Sequence, residues 1–322
     1  MFPTLYPRGG PYSPNTASMG GLPSIIPDIP ICAVFIVLYI GFAATNMTIF
    51  QKNRRRGHKF IPSGMLFGFC MARITTLVIR IVWANRKTNV RLAIAAGILV
   101  NAGVLLVYII NLILAQRILR AMRPQIGWHP VPRIGIIKFL YGLIPGALVM
   151  VITATVVPMY TLNAHTRSQC RDVQLAAMTY LLVFTCLPII HILLAVLPPR
   201  SHKQDHFGAG GMNSKIAIVT LSSALCILIA GFKSGANWSP PRLAIQPAWF
   251  DSKACIYIFN FVLEILALAH LTFSRIDQRF HIPNGSTRPG DYSSPIEHLG
   301  KEQDIGSRPQ VDEITEVGVM PA

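Results

Sequence analysis

The sequence has few charged residues, and acidic residues are the scarcest among them. Charged residues make up 13% of the 322 positions, against about a quarter in an average soluble protein. Hydrophobic residues make up 52%. Several apolar runs are about 20 residues long, which is enough for a helix to cross a hydrocarbon core of about 30 Å. This composition excludes an ordinary soluble protein and predicts a polytopic membrane protein.

The sequence also lacks the motifs that would identify a chemical site. It contains no CxxC pair and no HExxH motif, so we predict no metal site and no cofactor. No Ser-His-Asp set or carboxylate pair can be assigned, so we predict no catalytic residues and place an enzyme behind the other functional classes. The net charge of +16 would suggest nucleic-acid binding in a soluble protein. Here, Lys and Arg cluster at the ends of apolar runs, where they set membrane orientation, so nucleic acid is not predicted as a partner.

Seven apolar runs predict an all-α bundle of seven transmembrane helices within residues 31–282. The predicted spans are 31–50, 61–84, 92–116, 136–160, 173–197, 216–232 and 254–274. Residues 1–30 contain seven prolines, which predicts an extended extracellular segment rather than a helix. Residues 283–322 are polar and acidic without apolar periodicity, which predicts a disordered cytoplasmic tail.

The distribution of positive residues predicts the orientation. The densest cluster, five Lys and Arg within residues 52–59, follows the first span. Because positively charged short loops stay in the cytoplasm, the amino terminus should lie outside and the carboxyl terminus inside. With this orientation the cytoplasmic segments carry 15 Lys and Arg and the external ones carry 9. We expect the protein in the plasma membrane.

Charged and polar residues inside the apolar runs define a candidate polar cluster of four residues, Arg73, Arg80, Asn260 and Glu264. Arg73 lies about 18 Å from either end of span 2, too deep for its side chain to reach water, whereas Arg80 lies about 6 Å from the outer end and could do so. Glu264 lies at the depth of Arg73. We therefore predict an Arg73–Glu264 pair between neighbouring spans 2 and 7, with a further hydrogen bond from Asn260. Two interpretations stay open: a polar cavity for a charged headgroup or a proton, or an ion pair that only fixes helix packing.

Two cysteines lie on the predicted external side. Cys170 lies between spans 4 and 5, and Cys255 lies at the start of span 7. Because this side is oxidising, we predict a disulfide between them, with Cys32 as a competing partner.

The signatures of the best-known seven-span proteins are missing. Span 3 ends in Gln116-Arg117-Ile118 instead of the acidic-Arg-aromatic triplet of receptors, and span 7 has no NPxxY motif. A retinal protein needs a Lys within span 7, and none lies between Lys253 and Arg275.

The end of the apolar region carries a resemblance. Cys255, Asn260 and Glu264, followed by the sequence RIDQRFHIPNG at 275–285, resemble a fungal family of seven-span integral membrane proteins of unknown function. The basic first loop and the span layout are similar too, so the resemblance covers about residues 30–285. The layout is also similar to the RTA-type lipid-translocating exporters, whose last span carries a Glu. These resemblances imply a membrane location without a known activity.

Two functional hypotheses follow. The first is a protein that handles a membrane lipid or small amphiphile through a polar intramembrane cavity containing Glu264 and Arg73. The alternative is a receptor-like sensor that signals through its basic cytoplasmic loops and acidic tail.

Overall fold

The computed structural model describes residues 10–12, 16–58, 60–129, 137–197, 205–286 and 288–293. Within these residues the protein is all-α and contains no strand, only an isolated bridge between Thr16 and Leu243. Seven helical segments are long and apolar enough to cross a membrane. The predicted fold class is therefore confirmed.

Five of the seven spans are longer than the apolar runs that predicted them, and the fourth and seventh are not. The first six spans are α1 (Asp28–Arg55), α2 (Ile61–Asn85), α3 (Val90–Met122), α5 (Ile137–Tyr160), α6 (Ala164–Val196) and α7 (Met212–Trp238), and the short α4 is Pro124–Gly127. The seventh span, Lys253–Phe273, consists of α8 (Lys253–Ile256), a π-helical turn (Tyr257–Val262) and α9 (Leu263–Phe273), and α10 (Ile276–Arg279) follows it. A hydropathy pattern marks only the part of a helix that faces hydrocarbon, whereas the helix itself continues into the polar interface.

Side-chain caps fix several helix starts. The side chain of Asn89 accepts a hydrogen bond from the Arg91 amide at the start of α3, and Asn163 caps α6 by accepting from the His165 amide. Ser252 does the same for the seventh span by accepting from the Cys255 amide. These caps satisfy amides that a helix start leaves unpaired.

α3 lies at the centre of the bundle. It packs against α2, α5, α6 and α7, and more of its apolar length is buried than in the other six spans. α1 packs on α2, and the seventh span packs mainly on α7 and α1. We call the end of the bundle where α1 begins the Asp28 end, and the opposite end, where α7 begins, the Lys215 end.

The segment before α1 lies against the Asp28 end. The amide of Ala17 donates to the Arg242 carbonyl at 2.9 Å, and the amide of Gly20 donates to the Asp251 carbonyl at 2.9 Å. Gly20 has φ +79°, and a Cβ there would lie 2.7 Å from the Ile256 side chain, so only glycine fits. Residues 1–9 and 13–15 of this predicted extended segment lie outside the described residues.

The chain stays packed beyond Pro283, where the sequence predicted the start of a disordered tail. Tyr292 is buried, and its ring centroid lies 5.6 Å from that of Trp128 and 5.7 Å from that of Phe207. One aromatic anchor in a polar segment is enough to hold it, and composition averaged over the tail hides that anchor. Residues 294–322, which make up most of the predicted tail, lie outside the described residues.

Two buried charge clusters as the candidate functional site

Arg73 and Glu264 form a buried ion pair in the middle of the bundle, as predicted. Arg73 Nε donates to Glu264 Oε2 at 2.5 Å, and Nη2 donates to Oε1 at 2.6 Å. Both side chains are at most 1% exposed. The guanidinium also donates to the carbonyls of Leu99 and Val100 on α3, at 3.1 and 3.0 Å. The planar, bidentate geometry is the strongest that an Arg and a carboxylate can adopt.

Lys233 on α7 joins this pair, and the sequence analysis missed it. Its Nζ lies 3.9 Å from Glu264 Oε1 and donates to the Val100 carbonyl at 3.3 Å. The sixth apolar run ends at residue 232, so the sequence analysis counted Lys233 as an external loop residue. Because α7 continues to Trp238, the side chain lies inside the bundle and is only 6% exposed. We call Arg73, Lys233 and Glu264 the mid-span cluster.

The Arg73 side chain, rather than direct helix packing, connects spans 2 and 7. The sequence predicted these spans as neighbours, but α2 packs mainly on α1 and α3, whereas the seventh span packs on α7 and α1. The Arg73 side chain is long enough to reach from α2 to Glu264 on the seventh span. Gly103 on α3 makes room for it, because a Cβ there would lie 3.2 Å from Arg73 Nη1.

Arg80 belongs to a second cluster and does not reach the surface, contrary to the prediction. It is 5% exposed, and its Nη2 donates to Asp28 Oδ1 at 3.1 Å. Asp28 is 1% exposed and also accepts hydrogen bonds from Lys253 Nζ at 2.6 Å and from the Tyr257 hydroxyl at 2.5 Å. We call these four residues the end cluster. The sequence analysis assigned Asp28 to the Pro-rich segment, so it left Arg80 without a buried partner.

Asn260 does not bind Glu264, which corrects the third element of the predicted cluster. Its Nδ2 lies 3.3 Å from Met19 Sδ, and its Oδ1 is buried without a hydrogen-bond partner. Asn260 lies in the π-helical turn at Tyr257–Val262, and its side chain contacts Met19 of the segment before α1 instead. The predicted contact assumed regular α-helical geometry, which this turn interrupts just before Glu264. Single π-helical turns are frequent at functional sites.

The predicted disulfide between Cys170 and Cys255 is wrong, because all six cysteines are free. Cys170 lies on α6, which packs on α3, α5 and α7, whereas Cys255 starts the seventh span. Cys255 Sγ lies 3.5 Å from the Trp249 carbonyl, and Cys32 Sγ lies 3.4 Å from the Tyr257 hydroxyl.

Buried polar atoms without partners surround the mid-span cluster. The hydroxyls of Tyr39 and Tyr108 have no hydrogen-bond partner, although both side chains are at most 2% exposed. Both residues interact electrostatically with Arg73 and Glu264. Since roughly nine in ten buried polar groups in proteins are hydrogen-bonded, this unused capacity next to buried charge is typical of a site that holds a polar ligand or water.

The same part of the chain offers no metal centre. Among the residues that the structure describes, no group of three or more His, Cys, Asp or Glu side chains could hold a metal ion. The charged groups that the clusters offer to a ligand are the cations of Arg and Lys.

Comparison of the chain with family models, with curated proteins and with solved structures finds no match. Neither the fungal seven-span family nor the RTA-type exporters gain support from these comparisons.

Proposed function

We propose that this multi-pass membrane protein handles a lipid or amphiphile with an anionic headgroup at the mid-span cluster. The observation that carries the proposal is the presence of two cations on one carboxylate. Arg73 already occupies both oxygens of Glu264, and Lys233 lies 3.9 Å away. Within the described residues, Glu264 is the only carboxylate within 4.0 Å of either cation. The cluster therefore carries a formal excess of one positive charge.

An excess positive charge at this depth is unfavourable unless an anion offsets it. A lone Arg or Lys at the centre of a membrane helix costs at least about 2.5 kcal/mol on insertion scales. The phosphate or carboxylate of an amphiphile would remove this cost, and its hydrocarbon tail could remain between the helices and the lipid. The free hydroxyls of Tyr39 and Tyr108 supply donors for the oxygens of such a headgroup.

The orientation and location are part of the proposal. The positive cluster at residues 52–59, where α1 ends, supports an external amino terminus and a cytoplasmic carboxyl terminus. With this orientation the Asp28 end faces outward and the Lys215 end faces the cytoplasm. We propose the plasma membrane as the site of action.

Lipid analysis of the purified protein tests the proposal. Wild type, Lys233→Met and the control Lys52→Met, whose lysine is exposed in the last turn of α1, are purified in mild detergent. Bound lipids are then quantified by mass spectrometry. Because a charge-assisted hydrogen bond contributes about 1.5–3 kcal/mol, Lys233→Met should retain at least about tenfold less of an anionic lipid than wild type. Lys52→Met should retain as much as wild type.

Two results would overturn lipid handling. One is the absence of any stoichiometric lipid from wild type, and the other is equal retention by Lys233→Met. Recovery of a signalling protein such as a G-protein subunit in place of a lipid would favour the receptor-like alternative.

A further inference from the structure

The inward face of α7 carries two lysines, a serine and a cysteine among apolar residues such as Val219 and Ile229. Lys215, Ser222, Cys226 and Lys233 are seven, four and seven residues apart, which places them on one side of an α-helix. All four are buried. At 1.5 Å per residue the two lysines are about 27 Å apart, close to the thickness of the hydrocarbon core. We call these four residues the α7 stripe.

The middle of the α7 stripe has more hydrogen-bonding groups than partners. Asn111 on α3 donates from Nδ2 to Cys226 Sγ at 3.2 Å, but its Oδ1 has no partner. The hydroxyls of Ser222, Ser223 and Tyr108 also have none, and each of these side chains is at most 2% exposed. Tyr108 and Cys226 both interact electrostatically with Glu264, so these two residues lie near the mid-span cluster.

The charge of the α7 stripe has one sign. Lys233 lies near the end of α7, from where its side chain extends to the mid-span cluster. Lys215, near the start of α7, donates to the Phe207 carbonyl and lies 4.2 Å from the Phe207 ring centroid. α7 contains no Asp or Glu. A helix face with a cation near each end and polar groups between them attracts an anion.

On the basis of the proposed binding of an anionic headgroup at Lys233, we infer that the α7 stripe is the path along which that headgroup crosses the membrane. The Ser222 hydroxyl and the Asn111 amide replace hydrogen bonds that the headgroup loses on leaving water. The two lysines offset its charge at either end. On this inference, the unpartnered hydrogen-bonding groups between α3 and α7 line the route of the headgroup and are not part of a static core.

Cys226 is a native reporter in the middle of this path, and Cys70 on α2 is its matched control. Cys226 is 1% exposed and Cys70 is 0% exposed, but Cys70 does not lie on the α7 stripe. The full-length protein in detergent is treated with two small water-soluble methanethiosulfonates, one an anionic ethylsulfonate and the other a cationic ethyltrimethylammonium. Peptide mass spectrometry then measures the modification rate of each cysteine, and each reagent is normalised to its rate with a free thiol in solution.

Cys226 should be modified at a measurable rate and Cys70 should not. The anionic reagent should be favoured at Cys226 by about tenfold or more, because a positively charged cleft raises the local concentration of anions. Lys233→Met should reduce this preference, and an added anionic lysolipid should slow the labelling of wild type.

The path is overturned if Cys226 is as unreactive as Cys70 towards both reagents, or if the cationic reagent is favoured. Lipid retention is measured on the same preparations, which separates the two proposals. An unreactive Cys226 together with lipid loss in Lys233→Met would remove the path and leave binding at Lys233 intact. Loss of lipid handling itself would appear as equal lipid retention in wild type and Lys233→Met.

Discussion

Asp28 accepts a hydrogen bond from Lys253 at 2.6 Å, although 225 residues separate the two in the chain. This contact joins the start of α1 to the start of the seventh span. Arg80 of α2 binds the other carboxylate oxygen at 3.1 Å. One carboxylate thus holds three spans together at the Asp28 end, and two cations depend on it.

Asp28→Asn should destabilise the protein strongly. The substitution leaves Arg80 and Lys253 without their counter-charge, and removing one partner of a buried pair costs about 3–5 kcal/mol. The measurement is unfolding in detergent, followed by helix content. The control is Arg275→Gln, since Arg275 is 48% exposed and, among the residues that the structure describes, forms an ion pair only with Asp277, at 3.2 Å. That exposed pair should contribute at most about 1 kcal/mol. Equal losses of stability to unfolding in Asp28→Asn and Arg275→Gln would contradict the role of Asp28.

Run length and charge depth predicted the core of this structure. The seven spans follow from the number of consecutive apolar residues, which the sequence states directly. The Arg73–Glu264 pair follows from depth, because the sequence analysis found no other opposite charges at the same distance from the membrane surfaces. Both inferences use quantities that do not depend on how the helices pack.

The residues that the sequence analysis missed depend on packing and on helix ends. Asp28 and Lys233 lie just outside the apolar runs, and only the continuation of their helices places them inside the bundle. The Asn260 side chain contacts Met19, which is 241 residues away in the chain, and the sequence does not indicate that contact. The burial of Tyr292 depends on Trp128 and Phe207, two distant aromatic residues.

Gly103→Ala should weaken the mid-span cluster. The new Cβ would lie 3.2 Å from Arg73 Nη1 and 3.4 Å from the Ala72 Cβ. The guanidinium cannot easily move away, because Glu264 and two α3 carbonyls hold it. Overpacking of this kind costs about 1–3 kcal/mol. In the control Gly146→Ala the new Cβ would meet nothing within 4 Å, so its higher helix propensity should be neutral or add about 0.5–1 kcal/mol. The comparison is made by thermal unfolding in detergent, and a stabilised Gly103→Ala variant would show that the guanidinium is free to shift.

The stability of the Lys215 end should fall as the pH is lowered. Burial, His58 and Arg117 lower the pKa of His281 below its ordinary value of 6.5, and the His58 and His281 ring centroids are 4.3 Å apart. Because the unfolded chain then binds a proton more readily than the folded one, stability is complete above about pH 6.5 and decreases as the pH falls through the lowered pKa. The thermal midpoint of wild type should therefore fall more than that of His281→Gln between about pH 7.5 and pH 5.5. Identical profiles would show that His281 does not carry the effect.

The orientation can be tested on intact cells. If the positive cluster at residues 52–59 stays in the cytoplasm, a protease added outside should remove an epitope tag at Phe2 and spare one at Ala322. Permeabilised cells serve as the control, because both tags should be cleaved there. The opposite protection pattern would reverse the proposed topology.

The charges of the mid-span cluster predict how much folded protein each of three variants loses relative to the others. Glu264→Gln leaves two buried cations without a counter-charge, so it should give the largest loss of folded protein. Arg73→Gln leaves Glu264 with Lys233 at 3.9 Å, so its loss should be smaller. The double variant should recover part of the yield of Glu264→Gln, because it removes one of the two unpaired cations. The measurement is the monodisperse fraction in size-exclusion chromatography after detergent extraction.

Because of Lys233, the variants Glu264→Gln and Arg73→Gln should lose different amounts of folded protein. With Arg73 and Glu264 alone, either single substitution would leave one unpaired charge, and the two losses would be similar. A second cation beside the carboxylate makes Glu264 the residue whose loss the cluster tolerates least. Equal losses from the two single variants would mean that Lys233 does not share the carboxylate, and harmless single variants would mean that the pair does not hold the bundle together. Lys233→Met completes the set: it leaves the neutral Arg73–Glu264 pair in place, so it should fold as well as wild type and lose only the bound anion.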